Sequence, residues 1–471
     1  MSVMPHMNSV TPVSKKMRAL SKFIKTSIGF VAAFTLINAA EAATGKPEKD
    51  QLKFGFIKLT DMIPMAVALE NGYFEDEGLS VELEAQANWK VVLDRVITGQ
   101  LDGSHMLAGQ PVGAAAGFGT SAELVWSYTL NQNGYACTVG NDIWNMIKKT
   151  VPKGADGKPL HPIKADVLKP VIENFKNQGK PFNMAMVFPV SAHNMGLRYW
   201  LASAGISPGF YAPHKGDITG QMKADVLLSV TPPPQMPATL EAGTTNGYCV
   251  GEPWNQQAVF RGIGVPLITV TNQMADKVFG TTRAWAEKNP NTHIHVVKAL
   301  IRAGKWLDEK DNANRKAGAK MISNSNYVGA DEKVIANSMT GVFEYERGDK
   351  RSEPDFNVFF RYNASYPYQS DAIWYLTQMR RWGQIPEGKP DSWYIDLAKK
   401  IVMPEVYQQA AKDLIAEGKM TAADFPVDLS KMDGFRTPDA TVWIDGIQFD
   451  GRKPNDYLTK FPIGLKGNDK L

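Results

Sequence analysis

A chain of 471 residues with 44% hydrophobic side chains is long enough for two or three domains and apolar enough to bury their cores, which excludes a disordered polypeptide. Its formal charge of +4 belongs to the N-terminus. Five of the 52 Lys and Arg and one of the 48 Asp and Glu fall within the first 42 residues, leaving 47 of each. A neutral remainder excludes the basic surface that a nucleic acid or other polyanion requires.

The first element in chain order is a processing signal. Lys15, Lys16, Arg18, Lys22 and Lys25 precede an apolar run over 28–37 and then Ala40-Glu41-Ala42, the order of a secretory signal and its cleavage site. The run is about half of the roughly 20 residues that a membrane helix needs. Cleavage after Ala42 is therefore expected, giving an exported protein, and no cysteine follows the run to carry a lipid. The two cysteines, Cys137 and Cys249, sit in apolar surroundings and read as buried strand residues, with a single disulfide as the alternative in an oxidising compartment.

From residue 52 onward short strands and helices alternate. The pattern predicts a strand over 52–59, a helix over 63–71 closed by Gly72, a strand over 79–85, a helix over 89–98, and strands over 101–107 and 122–130. A Gly- and Pro-rich loop over 153–162 separates this series from a second one at 182–188, 193–204, 226–230, 247–250 and 265–270. Such spacing indicates parallel βαβ units in two α/β lobes. Past Val278 the pattern turns helical, clearest over 290–311 and 313–323. The tail beyond Asp349 is aromatic and irregular, with Phe356, Phe359, Phe360, Tyr362, Tyr366, Tyr368 and Trp374, and is expected to cover one lobe or bridge both.

The segment 229–255 stands out. Pro232, Pro233 and Pro234 stop a strand, and a short helix over 236–242 follows, whose first amide groups lack partners within the helix and suit a small anion. Motifs of catalysis are missing from the sequence. It has no Gly-x-Ser-x-Gly elbow, no His-Glu-x-x-His, no Cys-x-x-Cys and no phosphate loop. Its seven histidines are dispersed: His105 reads as a packed strand residue, and His293 and His295 as the start of a helix. Neither a metal, a cofactor nor an enzyme activity is expected.

Several of these segments carry a resemblance. Residues 52–74, Asn88-Trp-Lys-Val-Val-Leu-Asp-Arg95, Phe188-Pro-Val-Ser-Ala-His-Asn194, Leu197-Arg-Tyr-Trp-Leu201, Tyr248-Cys-Val-Gly-Glu-Pro-Trp-Asn255 and residues 375–383 together resemble the periplasmic nitrate-binding proteins of ABC uptake systems and their bicarbonate-binding relatives. The likeness runs over roughly residues 50–425. It implies a two-lobed α/β binding protein of the periplasmic type II class with hinged lobes: 50–135 with 279–345 as one lobe, 136–278 as the other, and 346–471 as a helical and aromatic extension packed on them. It also implies a monomer that holds nitrate or a similar small oxyanion between the lobes and delivers it to an ABC permease and its ATPase.

The resemblance carries site roles with it. Trp89 would wall the pocket, Gln132 would donate its amide NH₂ to the ligand, and His193 would supply a ring N–H. Lys277 would pair with nitrate, at a position where bicarbonate-binding relatives carry an acidic residue that helps hold calcium. Asn194 stands where a glycine is expected, and Gln235, from the proline segment, is a candidate second donor. Asp61 and Glu252 also lie at strand ends facing the supposed cleft; a carboxylate repels an anion, so both are assigned structural or hinge roles. Bicarbonate with calcium, nitrite, cyanate or a sulfonate remain alternative ligands. A cytosolic sensor and a pyrimidine-forming enzyme are the alternatives of other classes.

Overall fold

Strand β1 (Gln51–Phe56) alternates exposed Gln51 and Lys53 with buried Leu52 and Phe54, the two-residue period of a strand with one face in a core. The structure, a computed structural model, describes residues 44–471, so the expected export signal lies outside the described residues. In the body over 46–471, β1 runs parallel to β2 (Ser80–Ala85) and β3 (Gly103–Leu107), with helices α1 (Ile63–Glu70) and α2 (Trp89–Ile97) in the connections. Helix α2 starts where Asn88 accepts the Val91 N–H with its side chain, the usual way of satisfying an orphan donor.

Strand β4 (Leu124–Asn133) then passes directly into β5 (Tyr135–Gly140), and β5 belongs to a different sheet. The crossing turns at Asn133 (φ 64°) and Gly134 (φ 86°), where a Cβ on Gly134 would sit 2.0 Å from Asn357 Oδ1. Only glycine fits there. The second sheet adds β6 (Asn183–Met186), β7 (Leu227–Val230), β8 (Gly247–Gly251) and β9 (Gly264–Val270) in the order β9-β5-β8-β6-β7. Helix α3 (Ala192–Ser203) follows β6. The chain then returns, and β10 (Ala275–Thr282) lies between β3 and β4 of the first sheet.

The first sheet thus reads β11-β4-β10-β3-β1-β2, with the short β11 (Asn357–Val358) at its edge. The expected parallel units hold for β1 to β3 and for β6, β7 and β8. Beside them, each sheet takes antiparallel strands where the chain crosses: β4 and β10 in one, β5 in the other. The return crossing falls between Val270 and Ala275, so the first sheet resumes a few residues before the division expected at 278, and Lys277 lies on a central strand.

Cys137 and Cys249 face each other in register on β5 and β8, buried and joined as a disulfide with Cα atoms 4.1 Å apart. The two readings of these residues, buried strand positions and a disulfide pair, are therefore both realised.

Beyond the long helix α4 (Pro290–Asn312), the tail is more regular than its sequence suggests. It contains α5 (Gln369–Arg381), α6 (Asp391–Ile401) and α7 (Pro404–Ala416). Helix α5 is buried on every side from Ser370 to Arg381, so it shows no polar stripe and no helical period. Its charged end is accommodated by carbonyls: Arg380 donates to those of Ile385, Pro386, Gly467 and Asp469, and Arg381 to that of Ile463. The extension touches both lobes. Tyr375 donates to the Ala275 carbonyl of the first lobe, while Gln384 donates to Pro189 O and the Trp382 carbonyl accepts from Tyr211 N–H in the second lobe. Among the described residues no helix is long and apolar enough to cross a membrane.

Candidate functional site

Adjacent residues on a regular strand point to opposite faces, yet Asp276 and Lys277 act on one spot. The cause is a bulge: Ala275 is opposite Gln132 and Lys277 opposite Asn131, so two steps on β10 match one step on β4. The Lys277 amine is fully enclosed, 2.6 Å from Asp276 Oδ2 and 2.9 Å from Asp61 Oδ2. Burial works against its charge, but Asp276 and Asp61 more than offset this and raise its pKa. Asp61 comes from the turn Thr60–Met62 that follows β1. Burial would raise its pKa, and the Lys277 charge and His105 outweigh that, holding the carboxyl well below the usual range.

His105 on β3 accepts the Ile57 N–H at Nδ1 (3.3 Å), which places the hydrogen of a neutral ring on Nε2, 2.7 Å from Asp61 Oδ1. Burial lowers its pKa. Trp89, the first residue of α2, packs its ring against His105 and lies 5.8 Å from the Lys277 amine.

The second lobe closes this group from the other side. His193, near the start of α3, is buried with Nε2 3.7 Å from Asp276 Oδ2, and Tyr135 at the start of β5 meets its ring edge-on. A Cβ added to Gly251 would stand 3.1 Å from Asp61 Oδ2 and 3.6 Å from His193 Nε2, so this strand end touches both lobes' polar groups. Around the group the lobes are in contact. Thr60 N–H donates to Glu252 O (2.7 Å), Trp254 Nε1 donates to Lys58 O (2.9 Å), and a Cβ on Gly109 would overlap the Val190 carbonyl at 1.7 Å.

The place combines its buried charges with unspent hydrogen-bonding capacity. Thr60 Oγ1, Trp89 Nε1, Tyr135 OH, both ring nitrogens of His193 and Asp276 Oδ1 are buried without a partner. Buried polar atoms are nearly always paired; unpartnered ones also lie around α5, at Trp374, Gln378 and Trp382, but here they surround a buried amine where the two lobes meet. His193 is neutral: burial and then the Lys277 charge push its pKa well down, leaving one ring donor and one acceptor. Asp276 is the reverse of Asp61. Burial and the Asp61 charge raise its carboxyl to about 7 against the pull of Lys277. Glu252, whose Oε2 accepts the Gln256 N–H and whose Oε1 has no partner, is raised by burial to about 8.

Of the residues singled out from sequence, Trp89, His193 and Lys277 come together here. Gln132, Asn194 and Gln235 do not. Gln132 donates to Ala364 O, away from Lys277, and it is the neighbouring Asn131 that accepts the Lys277 backbone N–H. Strand alternation decides between them. Asn194 donates to Pro189 O and Tyr211 OH and accepts from Arg198, which it helps fix against the carbonyls of Pro208, Gly209 and Gly220. Gln235 is exposed at the foot of the six-residue helix Met236–Glu241. Asp61 and His105, read from sequence as structural, stand at the centre, and Asp276 carried no sequence signal because nothing in its local pattern announces a bulge.

Comparison with known proteins bears on the same region. The model of the NMT1-like family matches residues 45–323. The nitrate/nitrite binding protein NrtA of Nostoc sp. strain PCC 7120 is 31% identical over 441 residues, covering 90% of this chain and 89% of that protein. The nitrate import ATP-binding protein NrtC of Synechocystis sp. strain PCC 6803 is 33% identical over 397 residues, 82% of this chain and 53% of that longer protein. In structure, the periplasmic nitrate-binding protein NrtA from Synechocystis PCC 6803 superposes with a TM-score of 0.74 at 28% identity, covering 89% of this chain and all of that one.

Proposed function

Since the chain belongs to the NMT1-like family, we propose that it is a binding protein, not an enzyme, that captures nitrate or nitrite between its lobes for an ABC importer. The observation that carries the reading is the set of buried, unpartnered donors around the Lys277 amine at the lobe interface. Nitrate is flat, singly charged and weakly basic, and is held best by several donors converging on it. We assign contacts to Trp89 Nε1–H, the His193 ring N–H and the Lys277 amine, with Thr60 and Tyr135 hydroxyls beside them. Gln132, Asn194 and Gln235 are left out because their placement puts them to other uses. Hydrogen bonds to charged groups contribute about 1.5–3 kcal/mol each. Three or four, less the cost of ordering the lobes, approach the roughly 8 kcal/mol of a micromolar site.

Opening about the crossings at Asn133–Gly134 and at 271–274 would admit the ion, and closure would remake the Thr60–Glu252 and Trp254–Lys58 bonds. We place the protein in the periplasm, exported by a cleaved signal without a lipid anchor, acting as a monomer with a permease and an ATPase as partners. Calorimetric titration of the exported protein with nitrate, nitrite and bicarbonate, the last with and without calcium, tests the reading. Saturable heat with nitrate or nitrite is expected, and binding of bicarbonate with calcium alone would overturn it.

A further inference from the structure

The charges at the site do not favour an anion as they stand. Lys277 contributes one positive charge, and Asp61 and Asp276 two negative ones. His105 satisfies both its neighbours as a neutral ring, and His193 is neutral. Tyr135 on β5 and Tyr375 on α5 also face Asp276, and burial keeps both as neutral phenols. Asn131 on β4 lies close enough to favour the Asp276 carboxylate, while its amide hydrogens make their short bonds to Asn133 O and Asn357 Oδ1. With both carboxylates ionised the group carries a net negative charge, and a monoanion entering a water-excluded gap would double it.

Relief has to come from one carboxyl group, and the geometry shows which. Asp61 uses one oxygen on His105 and the other on Lys277. Asp276 holds Lys277 with Oδ2, which also lies 3.7 Å from His193 Nε2, and its Oδ1 is buried with no hydrogen-bond partner. Resting on the reading of this cleft as an oxyanion site, we propose that Asp276 takes up a proton together with the anion and, as a neutral acid, donates the Oδ1 hydrogen to an oxygen of the bound ion. The proton comes from solvent as the cleft closes. Asp61 and Lys277 then cancel, the bound ion carries the only net charge, and an atom that would repel it becomes a donor. The raised pKa of Asp276 puts this exchange within the neutral range. Capture of nitrate is thereby linked to pH, and Asp276 is a specificity-determining residue for oxyanions that bring no hydrogen of their own.

Nitrate titrations of the full exported protein in buffers of differing ionisation enthalpy, from about pH 6 to about pH 9, read the linkage. Above about pH 7.5 the observed enthalpy should follow the buffer's with a slope approaching one proton taken up, and Kd should rise towards about tenfold per pH unit. Asp276→Asn keeps a donor but cannot titrate, so its nitrate affinity should lose the pH dependence and its binding heat the buffer dependence. Nitrate binding with a buffer-independent enthalpy and a flat Kd in the unaltered protein would overturn the inference and leave the proposed function standing. Proton uptake that persists in Asp276→Asn would overturn it too. Absence of nitrate binding at every pH would remove both. If the variant does not fold, the buffer series on the unaltered protein decides alone.

Discussion

Two buried charge clusters in this fold draw on the same kinds of side chain and end differently. On the first lobe, Glu77 accepts from His295 Nδ1 (2.9 Å), Lys298 Nζ (2.5 Å) and Lys419 Nζ (2.6 Å), and both lysines also reach Glu417. The bonds tie the end of the short helix Tyr73–Asp76 to α4 and to the residues after α7, and no atom of Glu77 or Lys298 is among the buried unpartnered ones. At Lys277 the ions are as well buried, yet polar atoms on both lobes around them are left without partners. A completed network holds elements together, whereas one finished in part by the protein leaves a place for a ligand. Charge and burial alone would not separate the two.

Removing the central cation is the strongest way to break the comparison. Lys277→Met would leave Asp61 and Asp276 facing each other in a dry gap, at a cost of about 3–5 kcal/mol in stability and with loss of nitrate binding. Lys298→Met leaves Glu77 with Lys419 and His295, so the expected loss is smaller, about 1–3 kcal/mol, with nitrate affinity preserved. Urea denaturation and calorimetry on both variants check this. If Lys298→Met weakened nitrate as much as Lys277→Met, the division into structural and binding clusters would fail.

Glu77 of the one cluster and Asp276 of the other should also respond to pH in opposite directions. Glu77 is held at about 2: burial would raise it, and its bonds to His295, Lys298 and Lys419 outweigh that. Its stabilisation is present above the unfolded value near 4.5 and is lost as pH falls towards 2, a change of about 3 kcal/mol. Asp276 and Glu252 are raised to about 7 and about 8, so the folded protein binds their protons more tightly than the unfolded chain does. Their contribution is most favourable below about pH 4 and erodes as pH rises to about 8. Thermal unfolding followed from about pH 3 to about pH 9 should show both limbs. Glu77→Gln should reduce the acid limb, to which the depressed Asp61 also contributes, and leave the other, and an unchanged acid limb would count against the network.

The sequence foretold the parallel strands because β1, β2, β3 and β6 to β8 follow alternation or short apolar runs bounded by Gly and Pro. It was less informative where burial is complete. Helix α5 has no polar face to set a period, and β10, reading Ala-Asp-Lys-Val-Phe-Gly, mixes charge into a central strand. At the site, family likeness picked out Trp89, His193 and Lys277, which a local pattern could not. Gln132 instead turns to Ala364 O, and Asn131 takes the place beside Lys277, because a side chain's face depends on register. From sequence, Asp61 reads as structural because a carboxylate repels an anion. That argument treats charges singly, and the bulge that brings Asp276 to the same lysine is a tertiary fact with no local signature.

The smallest effect is the sharpest discriminator, since it concerns one hydrogen bond. Trp89 and Trp285 are both tryptophans of the first lobe, but Trp285 Nε1 donates to Asp102 Oδ1 (2.9 Å) while Trp89 Nε1 is buried without a partner. Losing a donor that the fold uses strands its acceptor and costs stability. Losing a donor that the fold does not use removes a desolvated polar group and costs the protein nothing in hydrogen bonding. Trp285→Phe should therefore lower stability by about 1–2 kcal/mol with nitrate affinity intact. Trp89→Phe should leave hydrogen-bond stability as it was, apart from a modest loss of packing against His105, and weaken nitrate by about tenfold, the worth of one bond to a charged ligand. Paired urea and calorimetric measurements on the two variants separate these outcomes. A Trp89→Phe protein that bound nitrate as tightly as the parent would show that the unpaired indole does not face the ion, and would move the site away from the start of α2.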